Sequence, residues 1–209
     1  MARVLINYAT VEGQTARIAT RIALQLRSCG HSVATRRVDK SEPYIELTSR
    51  LGTFDGVIVG ASIHYGKHSS YLRALLKHCR AQLAERPGAF FSVSLSAGGP
   101  GAKPDAAQRY VNSFLRQVRW QPRQIATFAG ALCYSKYGHF KRFLVVLFVR
   151  MAGGDTDTSH DYEYTDWKAV DRFAVDFAKH LPPVQHSDTE PKGTKRYASS
   201  TISAHPLYY

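Results

Sequence analysis

The chain has 209 residues, 44% of them hydrophobic and 21% charged, which suits one globular domain and is too apolar for a disordered chain. Lysine and arginine number 28 against 16 acidic residues, a net charge of +12 that favours an anionic partner such as nucleic acid, acidic lipid or an acidic small molecule. Cys29, Cys79 and Cys133 are widely spaced and form no CxxC, which disfavours a disulfide framework or a zinc site and fits a reducing compartment.

The first residues, MARVLINYAT, read as a strand rather than a signal peptide. Val4–Tyr8 is nearly all apolar, as a strand covered on both faces should be. Gln14–Ser28 follows as a helix with Ile18, Ile22 and Leu26 on one stripe, and Gly30 stands where a C-terminal cap is expected. Ser32–Val38 and Gly56–Ala61 are the next predicted strands. Ser69–Leu83 is a predicted helix, with Leu72, Leu75, Leu76 and Leu83 on one side. Ala89–Leu95 is a fourth strand, Asp105–Val118 a helix and Gln124–Ala131 a fifth strand. Thr165–His180 closes the pattern as a helix with Val170, Phe173, Ala174 and Phe177 inward. This alternation predicts an α/β fold, a flavodoxin-like doubly wound parallel sheet of five strands in the order 2-1-3-4-5. Residues 1–181 form the predicted domain. Leu132–Tyr164 is a long insertion near strand five, and Pro182–Tyr209, rich in Pro, Ser, Thr and Lys, is expected to be a disordered tail.

The turn after the first strand carries Thr10, Val11, Glu12, Gly13, Gln14 and Thr15 and opens directly into a helix. Unpaired backbone N–H groups and the positive helix end make such a place an anion site. Gly13 permits close backbone approach, and the Thr10 and Thr15 hydroxyls can donate to phosphate oxygens. The loop has neither GxxxxGK[ST] nor GxGxxG, which disfavours a nucleoside triphosphatase and a Rossmann site. The competing reading is an ordinary turn capped by Thr10 or Thr15. Position favours the anion site, because open α/β sheets bind ligands at the carboxyl ends of their strands. Three other loops leave that edge: Ser62, Ile63, His64, Tyr65 and Gly66; the stretch from Leu95 through Ser96, Ala97 and the glycines to Gly101; and Leu132, Cys133 and Tyr134. The aromatic residue of the first and the glycine-rich backbone of the second could enclose a planar ring.

TVEGQT after strand one resembles the phosphate loop of flavodoxins. GASIHYGKH at 60–68, RWQP at 119–122, AGALCY at 129–134, GGDTDT at 153–158 and YTDW at 164–167 are more specific. Together, over residues 2–180, they resemble the flavodoxin-family quinone-dependent protoporphyrinogen IX dehydrogenases of haem biosynthesis. The resemblance implies FMN as cofactor, protoporphyrinogen IX as substrate, and menaquinone or ubiquinone as acceptor. It assigns the phosphate to Thr10 through Thr15 and the isoalloxazine to Ser62, His64, Tyr65, Gly66, Leu95, Ser96 and Ala97. It also implies peripheral attachment at the cytoplasmic face of a bacterial inner membrane.

The charge pattern agrees with that assignment. No acidic residue lies between Asp105 and Asp155, where eight basic residues stand, so the stretch should attract propionates or anionic lipid. Within the insertion, Phe140, Phe143, Leu144, Leu147, Phe148 and Met151 share one helical face, which predicts a short interfacial helix. A buried core segment, or a surface between copies in a homo-oligomer, is the alternative. A plain electron shuttle or an NAD(P)H:quinone reductase is the rival function. A nucleic-acid module is disfavoured, because the aromatic residues sit in apolar runs and are not interleaved with Lys and Arg.

Overall fold

The computed structural model describes residues 1–39, 51–99, 101–132 and 161–183. Strands β1 (Arg3–Ala9), β2 (Ser32–Arg37), β3 (Gly56–Ser62), β4 (Gly88–Ser94) and β5 (Gln124–Ala129) form one parallel sheet in the order β2-β1-β3-β4-β5, as expected. Helix α1 (Gln14–Ser28) connects β1 to β2. Helices α2 (Ser70–His78) and α3 (Arg80–Ala84) precede β4, α4 (Pro104–Val118) precedes β5, and α5 (Trp167–Ala178) ends the domain.

Alternation along each strand splits the core in two. Val4 and Ile6 of β1, Ile58 of β3 and Phe91 of β4 face α1 and α5, meeting Ile18, Ile22, Leu26, Phe173 and Phe177. Leu5, Val57, Val59 and Phe90 face the other way, against Leu72, Leu75, Leu76, Phe114, Leu115 and Trp120. Both faces are covered, which is why β3 and β4 are buried along almost their whole length. Gly60 allows the close packing here, since the Phe91 ring from the neighbouring strand lies over it.

Four boundaries differ from the sequence reading. The single helix expected over 69–83 is interrupted at buried Cys79 (φ −89°, ψ 10°), and α2 and α3 lie on either side. Strand β4 ends at Ser94, because Leu95–Ala97 turn into a 3-10 helix. Strand β5 ends at Ala129. After Gly130 the chain forms β6 (Ala131–Leu132), which pairs antiparallel with β7 (Tyr162–Glu163). The insertion therefore leaves and re-enters the domain through a two-stranded base. Finally, α5 begins two residues later than predicted, with Asp166 as its N-cap accepting the Ala169 N–H at 3.0 Å. The interfacial helix expected at 140–151 and most of the tail from Pro182 onward lie outside the described residues.

Candidate functional site

The loops after β1, β3 and β4 meet at the carboxyl edge of the sheet, where a doubly wound fold binds its ligand. The first is not a side-chain-capped turn. The N-cap of α1 is Gly13, held at φ 104°, and no side chain caps the helix, so neither Thr10 nor Thr15 has that role. Thr10 Oγ1 instead accepts the Gly13 N–H at 3.0 Å, which tightens the loop and leaves the Thr10 proton able to donate. The first intrahelical bond runs from Arg17 N to Gly13 O, so the N–H groups of Gln14, Thr15 and Ala16 open the helix without intrahelical partners.

Thr15 Oγ1, on a residue 1% exposed in the first turn of α1, is buried and lacks a partner. An orphaned hydroxyl beneath an open helix N-terminus fits a phosphate, which would accept from both. Val11 is exposed, while Thr10, Glu12 and Gly13 are half-buried around the turn. Gln14 contributes backbone only. Its side-chain amide donates to Glu163 Oε1 and Thr165 Oγ1, both at 2.8 Å, and its carbonyl accepts from Arg17 at 3.1 Å. Thr165 donates onward to the Ala129 carbonyl at 2.8 Å, and Arg17 pairs with Glu163 at 2.9 Å. This network ties the base of the insertion to the first turn of α1. Sequence reading missed it because the partners are some 150 positions apart.

The loop after β3 is a tight hairpin. His64 and Lys67 exchange backbone hydrogen bonds of 2.9 and 3.1 Å, and both central residues have positive φ, Tyr65 at 48° and Gly66 at 73°. That is the sign pattern of a type I′ turn, in which glycine is at ease and tyrosine is strained. The turn holds Tyr65 81% exposed, edge-on to the His64 ring at 4.5 Å, as a free aromatic platform. Ser62 is half-buried at its root. A cleft of about 280 Å³ lies between this hairpin and the first loop, lined by Thr10, Val11, Ser62, His64, Lys67 and His68 among others.

The third loop presents Leu95, 40% exposed, with Ser96 and Ala97 half-buried in the 3-10 turn. Ser96 O accepts the Lys103 N–H at 2.9 Å and closes the loop. At Gly99 (φ 95°) an added Cβ would meet the Tyr164 ring at 2.8 Å, so the tyrosine of the YTDW motif packs against this loop. All three loops reach one edge, and the Gln14 side chain is turned to other work.

Beneath the hairpin, His68 was not anticipated. It is 8% exposed, shares a 2.9 Å hydrogen bond with buried Ser92, and packs on Phe114 at 4.6 Å. Burial pushes its pKa down to about 4 from the usual 6.5. The unfolded chain then binds more protons than the folded one between those values. The stability this ring contributes is complete above pH 6.5 and is lost as pH falls towards 4, by roughly 3 kcal/mol at most. His31 is lowered too, by burial first and the chain's amino terminus second. Thermal midpoints of wild type and His68→Gln should therefore diverge between pH 7 and 4, with the wild type losing more; parallel curves would contradict this.

The sequence matches the flavodoxin domain family over residues 5–159. With its 2-1-3-4-5 sheet and the loop at the head of α1, the chain belongs to the flavodoxin family. Within that family it is similar to proteins named Protoporphyrinogen IX dehydrogenase [quinone]. The one from Escherichia coli K12 is 36% identical over 177 residues, 84% of this chain and 94% of that protein. The one from Leishmania major is 35% identical over 200 residues, 93% of this chain and 85% of that protein. Among solved structures, oxidised Flavodoxin 1 from Bacillus cereus superposes with a TM-score of 0.51 at 14% identity, covering 87% of this chain and all of that one, a likeness of fold.

Proposed function

We propose that this protein oxidises protoporphyrinogen IX to protoporphyrin IX with FMN as cofactor and a quinone as electron acceptor. The observation that carries the proposal is 36% identity along 94% of a protein named for that reaction, in a chain whose phosphate loop has an orphaned buried hydroxyl ready for a ligand. When bound, FMN supplies the two-electron redox chemistry. The protein's own part is positioning. The open N–H groups of α1 with Thr10 and Thr15 hold the phosphate, Tyr65 offers a stacking face, and the Leu95–Ala97 turn with Gly98 and Gly99 forms the opposite wall. Tyr164 against Gly99 and Glu163 bound to Gln14 fix both walls to the root of the insertion.

The test is anaerobic turnover by FMN-loaded protein, followed by porphyrin fluorescence. The expected result is porphyrin formation only when menaquinone or ubiquinone is supplied. Turnover only with NAD(P)H as donor, and none with porphyrinogen, would replace this reading by a quinone reductase. Peripheral contact with the cytoplasmic face of the bacterial inner membrane belongs to the same proposal, supported by the lipid solubility of the acceptor and by the basic stretch from 109 to 150. Flotation of the holoprotein with anionic vesicles is its expected sign, and no flotation would count against it.

A further inference from the structure

The hairpin that displays Tyr65 is strained, with Tyr65 at φ 48° and Gly66 at φ 73°. Strain of this kind persists only where the surroundings over-determine it. The backbone bonds between His64 and Lys67 shape the turn but do not tie it to the domain. Strand β4 and helix α4 do that. At the incoming foot, the Ile63 N–H donates to the Val93 carbonyl of β4 at 2.9 Å. At the outgoing foot, His68 shares its 2.9 Å hydrogen bond with Ser92, also of β4. At the tip, Gly66 turns towards α4: a β-carbon there would stand 3.4 Å from the Tyr110 hydroxyl and 3.6 and 3.7 Å from ring carbons Cε1 and Cζ.

The first of these is a backbone bond that almost any sequence can make. The other two depend on particular side chains. Ser92 puts a hydroxyl, on a residue 1% exposed, into the apolar run of β4 between Phe91 and Val93. Its surroundings are aromatic, since His68 packs on Phe114 at 4.6 Å and on Phe90 at 5.7 Å. An apolar pair of similar shape would fill this space about as stably, because a buried hydrogen bond returns most of its gain in desolvation. What the polar pair adds is direction: one donor and one acceptor at a fixed distance set where the foot of the hairpin stands. Tyr110 and Phe114 are four residues apart and share a face of α4, so the helix supports the hairpin at two levels, the tip and the foot.

We infer that His68, Ser92 and Tyr110 are positioning residues for the flavin ring: they mount the hairpin so that Tyr65 keeps its stacking plane. The inference rests on the reading of Tyr65 as the stacking face and deepens it, naming the side chains that aim it. Stacking depends on the relative orientation of the rings, so a hairpin free to rock gives up affinity for the ring while the phosphate loop keeps its hold.

The test titrates flavin-free protein with FMN and records the fluorescence of the bound flavin in Tyr65→Ala, Tyr110→Ala and His68→Leu/Ser92→Ala. Tyr65→Ala should raise the FMN dissociation constant about fivefold and brighten the bound flavin, because a stacked tyrosine quenches it. Tyr110→Ala and the His68/Ser92 double variant should each do part of the same. Added to Tyr65→Ala, neither should change anything further, since both act through that ring. Tyr110→Phe keeps the ring over Gly66 and should behave as wild type. The double variant makes both partners of the hydrogen bond apolar and should melt close to wild type, so its lost affinity is not lost fold. Wild-type affinity and fluorescence in Tyr110→Ala and in the double variant, beside a weakened Tyr65→Ala, overturn the inference and leave the stacking reading intact. Effects that add to those of Tyr65→Ala overturn it also, because the residues then act elsewhere. A double variant that melts far below wild type contradicts the role given to His68 and Ser92, whose bond then holds the fold. If Tyr65→Ala itself binds FMN like the wild type, the stacking reading and this inference fall together.

Discussion

Thr15→Val is expected to stabilise the flavin-free protein and weaken its hold on FMN, two effects of opposite sign from one atom. Thr15 is 1% exposed and its hydroxyl has no partner within the protein, so flavin-free protein carries the cost of a buried unsatisfied group. Valine keeps the branched shape and removes that cost, worth about 1 kcal/mol or a rise of roughly 3 °C for a chain of this size. The same change removes a hydroxyl donor to a phosphate dianion, a charge-assisted bond worth about 2 kcal/mol, so the FMN dissociation constant should increase on the order of thirtyfold. Thermal melts of the apoprotein and a flavin-fluorescence titration read the two effects separately. Wild-type affinity in the variant would place the phosphate elsewhere.

Gly60→Ala should be the most damaging single-methyl change in the sheet. A Cβ there would lie 2.1 Å from Phe91 Cζ and 2.6 and 2.7 Å from Cε1 and Cε2. The ring cannot swing away, because Phe91 is fully buried and packs on Phe128 at 5.9 Å and Phe173 at 6.2 Å. Overpacking of this kind costs about 3 kcal/mol, which lowers the thermal midpoint by roughly 9 °C. Phe91→Leu in the same chain should return part of the loss, because the two positions are in contact and their effects do not add. If Gly60→Ala melts like the wild type, the packing described between β3 and α5 is wrong. The consequence reaches the site, since β3 carries the hairpin that displays Tyr65.

Much of the architecture was legible because it is written in local periodicity. Apolar runs such as GVIVGA and AFFSVSL mark strands buried on both faces, and the stripe Ile18, Ile22, Leu26 marks the helix between β1 and β2. The strand order followed from the rhythm of five strands alternating with helices, which suits a flavodoxin-like order, rather than from any one residue. The phosphate loop was legible for the same reason: a hydroxyl- and glycine-bearing turn between a strand and a helix is a local pattern. What escaped depends on distant partners. The leucine pattern runs unbroken across Cys79, so the break between α2 and α3 left no mark. Gln14 looked like a ligand residue until Glu163 and Thr165 claimed its amide. His68 carried no mark of its burial in the local pattern, because Ser92 and Phe114, which bury it, lie 24 and 46 positions away.

The whole account turns on the anchoring of a phosphate at the head of α1. The direct measurement is a fluorescence titration of flavin-free protein with FMN and, in parallel, with riboflavin, which has the same ring and no phosphate. The account predicts one tight FMN site and binding of riboflavin weaker by at least two orders of magnitude, since the loop contacts are lost with the phosphate. Equal binding of the two flavins, or binding of neither, would contradict it.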